Sequence, residues 1–261
     1  MVNESSVLFE KQGHIGILTL NRPPANAYHL EMLNCFNTSL RQAINDPEIN
    51  AIIVDSSSEK FFCAGADIKV FEANTTEENA KMISQARENM ALIENCEKVV
   101  IAVINGHCLG GGLEIALACD IRFAAKHQYL IGLPEINLGL IPGNGGSQRL
   151  TRLIGVSNAI QMLSTGDSIS AQEAYRMGLI NQLFDSEELM PAAVALASKL
   201  GQGPALAIAA TKKAVYGGAL LPMAEALELE KRLVDTLYDT QDGQEGFRAF
   251  VEKRPAQFTG K

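Results

Sequence analysis

Apolar positions along the chain follow two periods. Residues 7–10 and 15–20 are short β-rich runs separated by Lys11-Gln12-Gly13-His14, which predicts a hairpin. Arg22-Pro23-Pro24-Ala25-Asn26-Ala27 follows as a turn or extended loop, because each proline disfavours helix at the residue before it. Leu30, Leu33, Phe36, Leu40 and Ile44 then recur at helical spacing, and Asp46-Pro47 closes that helix. Residues 51–54 read as a buried strand. Thr75-x-x-Glu78 reads as a capping box opening a long helix, with Ile83, Ala86, Met90 and Ile93 on one face. Residues 99–104, 121–124, 129–131 and 180–184 are further strands. Ser170-x-x-Glu173 opens another helix, which stops near Gly178. From residue 186 the pattern is helical, broken at 201–204 and at Gly217-Gly218. Strands alternating with helices, then helices alone, predict an α/β core over residues 1–195 and a helical section over 196–261.

The most informative stretch is Asn105-Gly106-His107-Cys108-Leu109-Gly110-Gly111-Gly112-Leu113-Glu114. The apolar run 99–104 is expected to deliver the chain to the glycines, and an apolar helix over 113–118 to carry it away. Glycines there let the backbone approach a ligand, and the first N–H groups of the helix have no partner inside it. Glu114 lies in the first turn. It is either a charge stabilised by the helix dipole or an acid–base group aimed at whatever the glycines hold.

Composition narrows the field. The 261 residues are 47% hydrophobic and 20% charged, enough for a sizeable soluble core. The net charge of −8 argues against a nucleic-acid partner held by a broad basic surface. No apolar run reaches membrane-spanning length, and Met1 to Ser6 show no signal-peptide pattern. The five cysteines form no C-x-x-C pair and sit mostly in apolar surroundings, which reads as reduced core thiols and a cytoplasmic location. The four histidines show no metal-ligand spacing, so no metal is expected, and most read as surface or turn residues. Neither Gly-rich turn completes G-x-G-x-x-G: Ile115 and Gln148 stand at the third glycine positions. No P-loop and no Gly-x-Ser-x-Gly elbow exist.

Two backbone turns and two carboxylates remain. Residues 62–68 and 109–114 can each offer an N–H, and two converging N–H groups make an oxyanion hole. Glu114 and Glu135 can divide acid and base work if their surroundings separate their pKa values. Glu135, after Pro134, also reads as a loop carboxylate capping a helix.

Together these stretches resemble the enoyl-CoA hydratase/isomerase (crotonase) family. The resemblance rests on Arg22 to Ala27, Phe61 to Lys69, Asn105 to Glu114, Ala118-Cys119-Asp120-Ile121-Arg122 and Gly132-Leu133-Pro134-Glu135. It continues through Gly139 to Leu150, Thr165 to Ala171, Ala174 to Ile180, and Glu245 to Arg254. These cover nearly the whole chain in family order. The resemblance implies the ClpP/crotonase-like fold: a spiral of ββα units with a helical C-terminal section that builds homotrimers, often paired into hexamers. It implies an acyl-CoA thioester substrate and no separate cofactor, since coenzyme A arrives as part of the substrate. It assigns the oxyanion hole to Ala64 and Gly111. It lines the CoA channel with Ala25, Asn26, Ala27, Ala64, Gly65, Ala66, Asp67, Ile68 and Gly110, and brings Phe250 and Lys253 to the CoA, in some members from a neighbouring subunit.

Both hydratase positions carry glutamate here, so the resemblance implies hydration of a trans-2-enoyl-CoA to the 3-hydroxyacyl-CoA, as in fatty-acid β-oxidation. Glu114 would deprotonate the water and Glu135 protonate the α-carbon. A Δ3-Δ2 enoyl-CoA isomerase, a branched-chain enoyl-CoA hydratase and a non-catalytic scaffold that binds RNA or a protein stay open as alternatives. Three places depart from the commonest family pattern: Tyr28-His29 stands where many members have Leu-Ser, His107-Cys108 where small residues are usual, and Asn144 where Ala, Gly or an aromatic residue is frequent. Finally, Leu221, Met223, Leu227, Leu229, Leu233, Val234 and Leu237 are too many apolar residues for one helix face, which predicts a partner subunit.

Overall fold

The computed structural model describes residues 5–261, so the reading of the N-terminus over residues 1–4 lies outside the described residues. The hairpin forms as predicted: β1 (Val7–Gln12) pairs antiparallel with β2 (Ile15–Leu20). Helix α1 (Leu30–Asn45) follows and buries Leu33, Phe36 and Leu40 of the five residues its spacing singled out; Leu30 at its start is exposed and Ile44 half-buried. The chain then climbs a repeating path. Strand β3 (Ala51–Ser56) joins a large sheet, β4 (Phe61–Cys63) a small one, and α2 (Ile68–Ala73) and α3 (Thr76–Asn95) lead back. The next turn repeats this with β5 (Val99–Ile104), β6 (His107–Leu109) and α4 (Gly111–Ala118). The third does so with β7 (Ile121–Ala125), β8 (Ile131–Gly132), a 3-10 turn (Glu135–Leu138) and α5 (Gly146–Ile154). Each unit is ββα, one strand per sheet.

After α6 (Val156–Thr165) and α7 (Ala171–Arg176), strand β9 (Gln182–Phe184) closes the large sheet in the order β1-β2-β3-β5-β7-β9, parallel except for the hairpin. The small sheet runs β4-β6-β8, all parallel. β3, β5 and β7 are almost continuous apolar runs because parallel strands are covered on both faces. Helices α8 (Ser186–Gly201), α9 (Ala205–Gly218), α10 (Met223–Asp235) and α11 (Gln241–Glu252) complete the chain.

Four readings change. The run 99–104 does not lead straight to the glycines. His107–Leu109 intervenes as β6, too short to carry a period of its own. Met82, not Ile83, faces the core from α3, beside Ala86, Met90 and Ile93. The capping box at Thr75 and Glu78 is complete, whereas at Ser170 only half forms, because the Glu173 carboxylate turns to Arg176 instead. The division at 195/196 falls inside α8, which packs on the large sheet, so the core runs on to Gly201.

Candidate active site

Glu114 sits in the first turn of α4, a helix buried on every residue, and is itself 1% exposed. A carboxylate so placed needs donors, and the Gly-rich turn ahead of α5 supplies them. Oε1 accepts from the backbone N–H of Asn144 (2.7 Å) and Gly146 (2.8 Å), and Oε2 accepts from the Asn144 side-chain Nδ2 (2.8 Å). Arg149 holds that turn. Its Nη1 donates to the Asn144 carbonyl at 2.7 Å, while Nε and Nη2 form a bidentate pair with Glu94 at 2.6 and 2.7 Å. Gly145 takes φ +99°, and a side chain there would run into the Arg149 guanidinium. Burial raises the Glu114 pKa above the ordinary carboxylate value, and its three hydrogen bonds and the Arg149 charge offset only part of that rise.

Glu135 approaches the Gly-rich turn ahead of α4 from a different base, near enough for the Glu114 charge to bear on it. It opens the 3-10 turn after Pro134 and is half-buried. Its carboxyl lies against Gly110, where Oε1 would stand 3.1 Å from a Cβ. Oε2 is buried with no hydrogen-bond partner among the described residues. Burial, and then the neighbouring charge of Glu114, push its pKa up to about 7, against one bond from its own backbone N–H. It therefore both opens a turn and faces Gly110.

The oxyanion assignment needs correction. The Ala64 N–H already donates to the Ala25 carbonyl at 3.0 Å and is not free for a ligand. Two residues on, Ala66 bridges to Tyr28: Tyr28 N–H donates to Gly65 O and Asp67 N–H to Tyr28 O, both at 2.8 Å. That pairing leaves the Ala66 N–H on the other side, with no partner among the described residues. Gly111 N, the first of α4, has none either. The two stretches meet at Gly65 (φ +92°), where a Cβ would stand 2.9 Å from the Gly111 nitrogen. The pair of free N–H groups is thus Ala66 and Gly111.

The remaining expected residues divide. Ala25, Ala27, Ala64 and Ala66 are half-buried around these turns, Gly65 and Gly110 are buried, and Ile68 is exposed at the start of α2. Asp67 pairs with Arg22 at 2.9 Å. Asn26 does not line a channel. It is fully buried, and its side chain ties loops together by accepting from Arg22 N and donating to Ser56 Oγ and Phe62 O. Phe250 and Lys253 lie exposed on and after α11, and neither hydrogen-bonds to the elements that carry the two glutamates.

Two residues noted in the sequence only as departures from the common pattern lie beside Glu114. The Tyr28 hydroxyl packs where a side chain on Gly111 would go, and it accepts from Asn144 Nδ2 at 3.2 Å. The signal for both was their departure from the common pattern at positions flanking the two turns. The histidines hold turns and ends, His29 capping α1 and His127 and His107 bonding to the loops at Asn105 and Leu130.

Comparison with known proteins places the whole chain in one family. The chain matches the enoyl-CoA hydratase/isomerase family profile over residues 10–261. It is 38% identical over 251 residues to a short-chain-enoyl-CoA hydratase of Clostridium acetobutylicum, covering 96% of each chain. It is 37% identical over 257 residues to a crotonyl-CoA hydratase of Syntrophomonas wolfei, covering 98% of each. The crystal structure of an enoyl-CoA hydratase from Geobacillus kaustophilus superposes with a TM-score of 0.96 at 36% identity, covering all of this chain and 98% of that one. One from Bacillus anthracis does so with 0.94 at 36% identity, covering 98% of this chain and all of the other. A fold of ββα turns whose sequence matches the family profile over residues 10–261 and relatives over nearly their full length makes the chain a member of the enoyl-CoA hydratase/isomerase family.

Proposed function

We infer that the protein is an enoyl-CoA hydratase, adding water across the double bond of a trans-2-enoyl-CoA to give the 3-hydroxyacyl-CoA. One observation carries this beyond family membership: two neighbouring carboxyl groups meet unlike surroundings, one supplied with three donors and the other with an oxygen buried and unpartnered. Glu114, though raised by burial, has three donors and the Arg149 charge on the side of its ionised form, which suits it to act as the base. Glu135, desolvated and short of donors, holds its proton up to about pH 7. Glu114 takes a proton from water as its oxygen bonds to the β-carbon. The π electrons move toward the thioester oxygen, held on the Ala66 and Gly111 N–H groups, and Glu135 delivers a proton to the α-carbon. The chemistry as proposed calls for no cofactor beyond the coenzyme A of the substrate. The names of the relatives favour short acyl chains. Loss of enoyl-thioester absorbance, measured over a series of acyl lengths, tests this. Turnover of crotonyl-CoA is expected, and inactivity on every 2-enoyl-CoA sinks the reading.

We propose further that the enzyme works as a homotrimer or a dimer of trimers, in the cytoplasm, in fatty-acid β-oxidation. The five cysteines are free thiols, which suits a reducing compartment. No single described helix is long and apolar enough to cross a membrane. Helix α10 buries none of its residues within the chain, and Met223 and Leu227 are 75% and 55% exposed. Phe250 is 86% exposed, a side chain available to a neighbouring subunit or its bound CoA. A monomeric mass by light scattering at micromolar concentration contradicts the oligomer.

A further inference from the structure

We propose that Tyr28 and Asn144 act as a positioning pair for the base: the Tyr28 hydroxyl orients the Asn144 amide, and the amide fixes the Glu114 carboxylate. The proposal rests on the hydratase reading for what Glu114 does, but not for the geometry that carries it.

Asn144 serves Glu114 twice. Its backbone N–H belongs to the turn and binds Oε1, while its side-chain Nδ2 reaches Oε2. A main-chain donor is fixed by the turn, but an amide on two rotatable bonds is not. Asn144 is 7% exposed, and its Oδ1 has no partner among the described residues, so nothing on that side of the amide holds it. Its orientation depends on the two acceptors of Nδ2, which are Glu114 Oε2 at 2.8 Å and the Tyr28 hydroxyl oxygen at 3.2 Å. Without the phenol oxygen, the amide can turn to satisfy Oδ1 at the expense of its bond to Glu114.

Tyr28 is a rigid support for that role. Its backbone is fixed on both sides by the bridge to Ala66, its ring is buried, and its hydroxyl lies over Gly111. Burial, and then the charge of Glu114, raise the phenol pKa well above its ordinary value, so the hydroxyl stays neutral and does not repel the carboxylate. The other titratable groups bearing on Glu114 are accounted for. Arg149 on α5 lowers its pKa and is itself paired with Glu94 on α3, and the Glu135 carboxyl lies against Gly110. The Cys63 and Cys108 thiols on β4 and β6 are pushed far up by burial and are neutral. The Asn144 amide is therefore the one side-chain hydrogen-bond donor to Glu114 among the described residues, and Tyr28 is what aims it. Both residues depart from the commonest family pattern, and the structure brings those two departures into one hydrogen bond.

The test follows the protonation of Glu114 directly, by infrared titration of the carboxyl band assigned with Glu114→Gln, and in parallel by the pH profile of kcat/KM with crotonyl-CoA. Asn144→Ala removes one donor to a charged group and is expected to raise the Glu114 titration by about one pH unit. The acidic limb of the profile should move with it. Tyr28→Phe keeps the ring and its packing and should move both readouts in the same direction by less. The double variant should match Asn144→Ala alone, because the hydroxyl acts only through the amide. An unchanged titration in Asn144→Ala, or a Tyr28→Phe shift that adds in full to that of Asn144→Ala, overturns the pair. Infrared shifts as expected in the variants of a protein that hydrates no enoyl-CoA overturn the hydratase reading and leave the pair established.

Discussion

Glu114 and Glu135 come together from two unlike supports. Glu114 stands on a helix with no exposed residue and accepts three hydrogen bonds from a turn that Arg149 clamps in place. Glu135 stands on a single 3-10 turn with no fully buried residue, and one of its oxygens is buried without a partner. Two identical side chains thus differ in what surrounds the charge. On one side donors offset part of the cost of burial, and on the other burial is left largely uncompensated. The difference shows how a fold assigns a base and an acid without changing the residue type.

The largest effect expected from breaking the comparison is on turnover. Glu114→Gln and Glu135→Gln should each lower hydration of crotonyl-CoA by about 10²-fold or more, since each removes a proton-transfer group while keeping its shape. Stability should separate them. Glu114→Gln puts an amide where three donors converge and should cost about 1–3 kcal/mol in urea unfolding. Glu135→Gln loses no such bonds and should cost much less. Near-parental turnover in either variant removes that residue from the mechanism, and equal stability losses remove the asymmetry between the two supports.

A smaller effect should come from loosening one support alone. Arg149→Met deletes the donor to the Asn144 carbonyl and leaves Glu94 without its bidentate partner. The turn that feeds Glu114 should lose definition, lowering kcat by about tenfold, on the scale that a displaced catalytic geometry costs. The Glu135 titration near pH 7 should stay where it is, because Arg149 is not among the causes of its shift. A kcat loss accompanied by an equal movement of the Glu135 limb would mean that the two supports are one mechanical unit.

The two supports were unequally legible in the sequence. The hairpin, α1, the large-sheet strands and the helical C-terminal section follow from apolar periods long enough to count. The strands β4, β6 and β8 are two or three residues each, below the length at which alternation says anything, so the small sheet that brings residues 62–66 beside 109–111 was hidden. The glutamates were readable from the motifs that surround them. The choice between Ala64 and Ala66 was not: in a regular extended segment residues two apart aim their N–H groups the same way, but Gly65 at φ +92° turns the chain between them, and only the neighbouring segments decide which N–H stays free. Here Ala25 takes one and leaves the other. Tyr28 and Asn144 stood out as unusual residues, but their contact joins segments far apart in the chain, and no local pattern encodes it.

The smallest effect is in the pH dependence, and its sign follows from which glutamate must be protonated. Glu135 has a pKa of about 7 in the folded protein, above the ordinary carboxylate value, and it must carry a proton to serve as the acid. Raising the pH through about 7 ionises it, so kcat/KM should fall on the alkaline side, to about half at the midpoint and about a tenth one unit higher. The same shift bears on stability. A carboxyl that binds its proton more tightly when folded favours the folded state most below its ordinary pKa, and that contribution is lost as pH rises through about 7. The melting temperature should therefore decline across this window, and in Glu135→Gln the decline should be shallower, because a glutamine has no proton to lose. The check is a set of melting curves for parent and variant from about pH 5 to about pH 8.5. Parallel declines would mean that Glu135 is solvated well enough to ionise without cost, and the acid would have to be sought elsewhere.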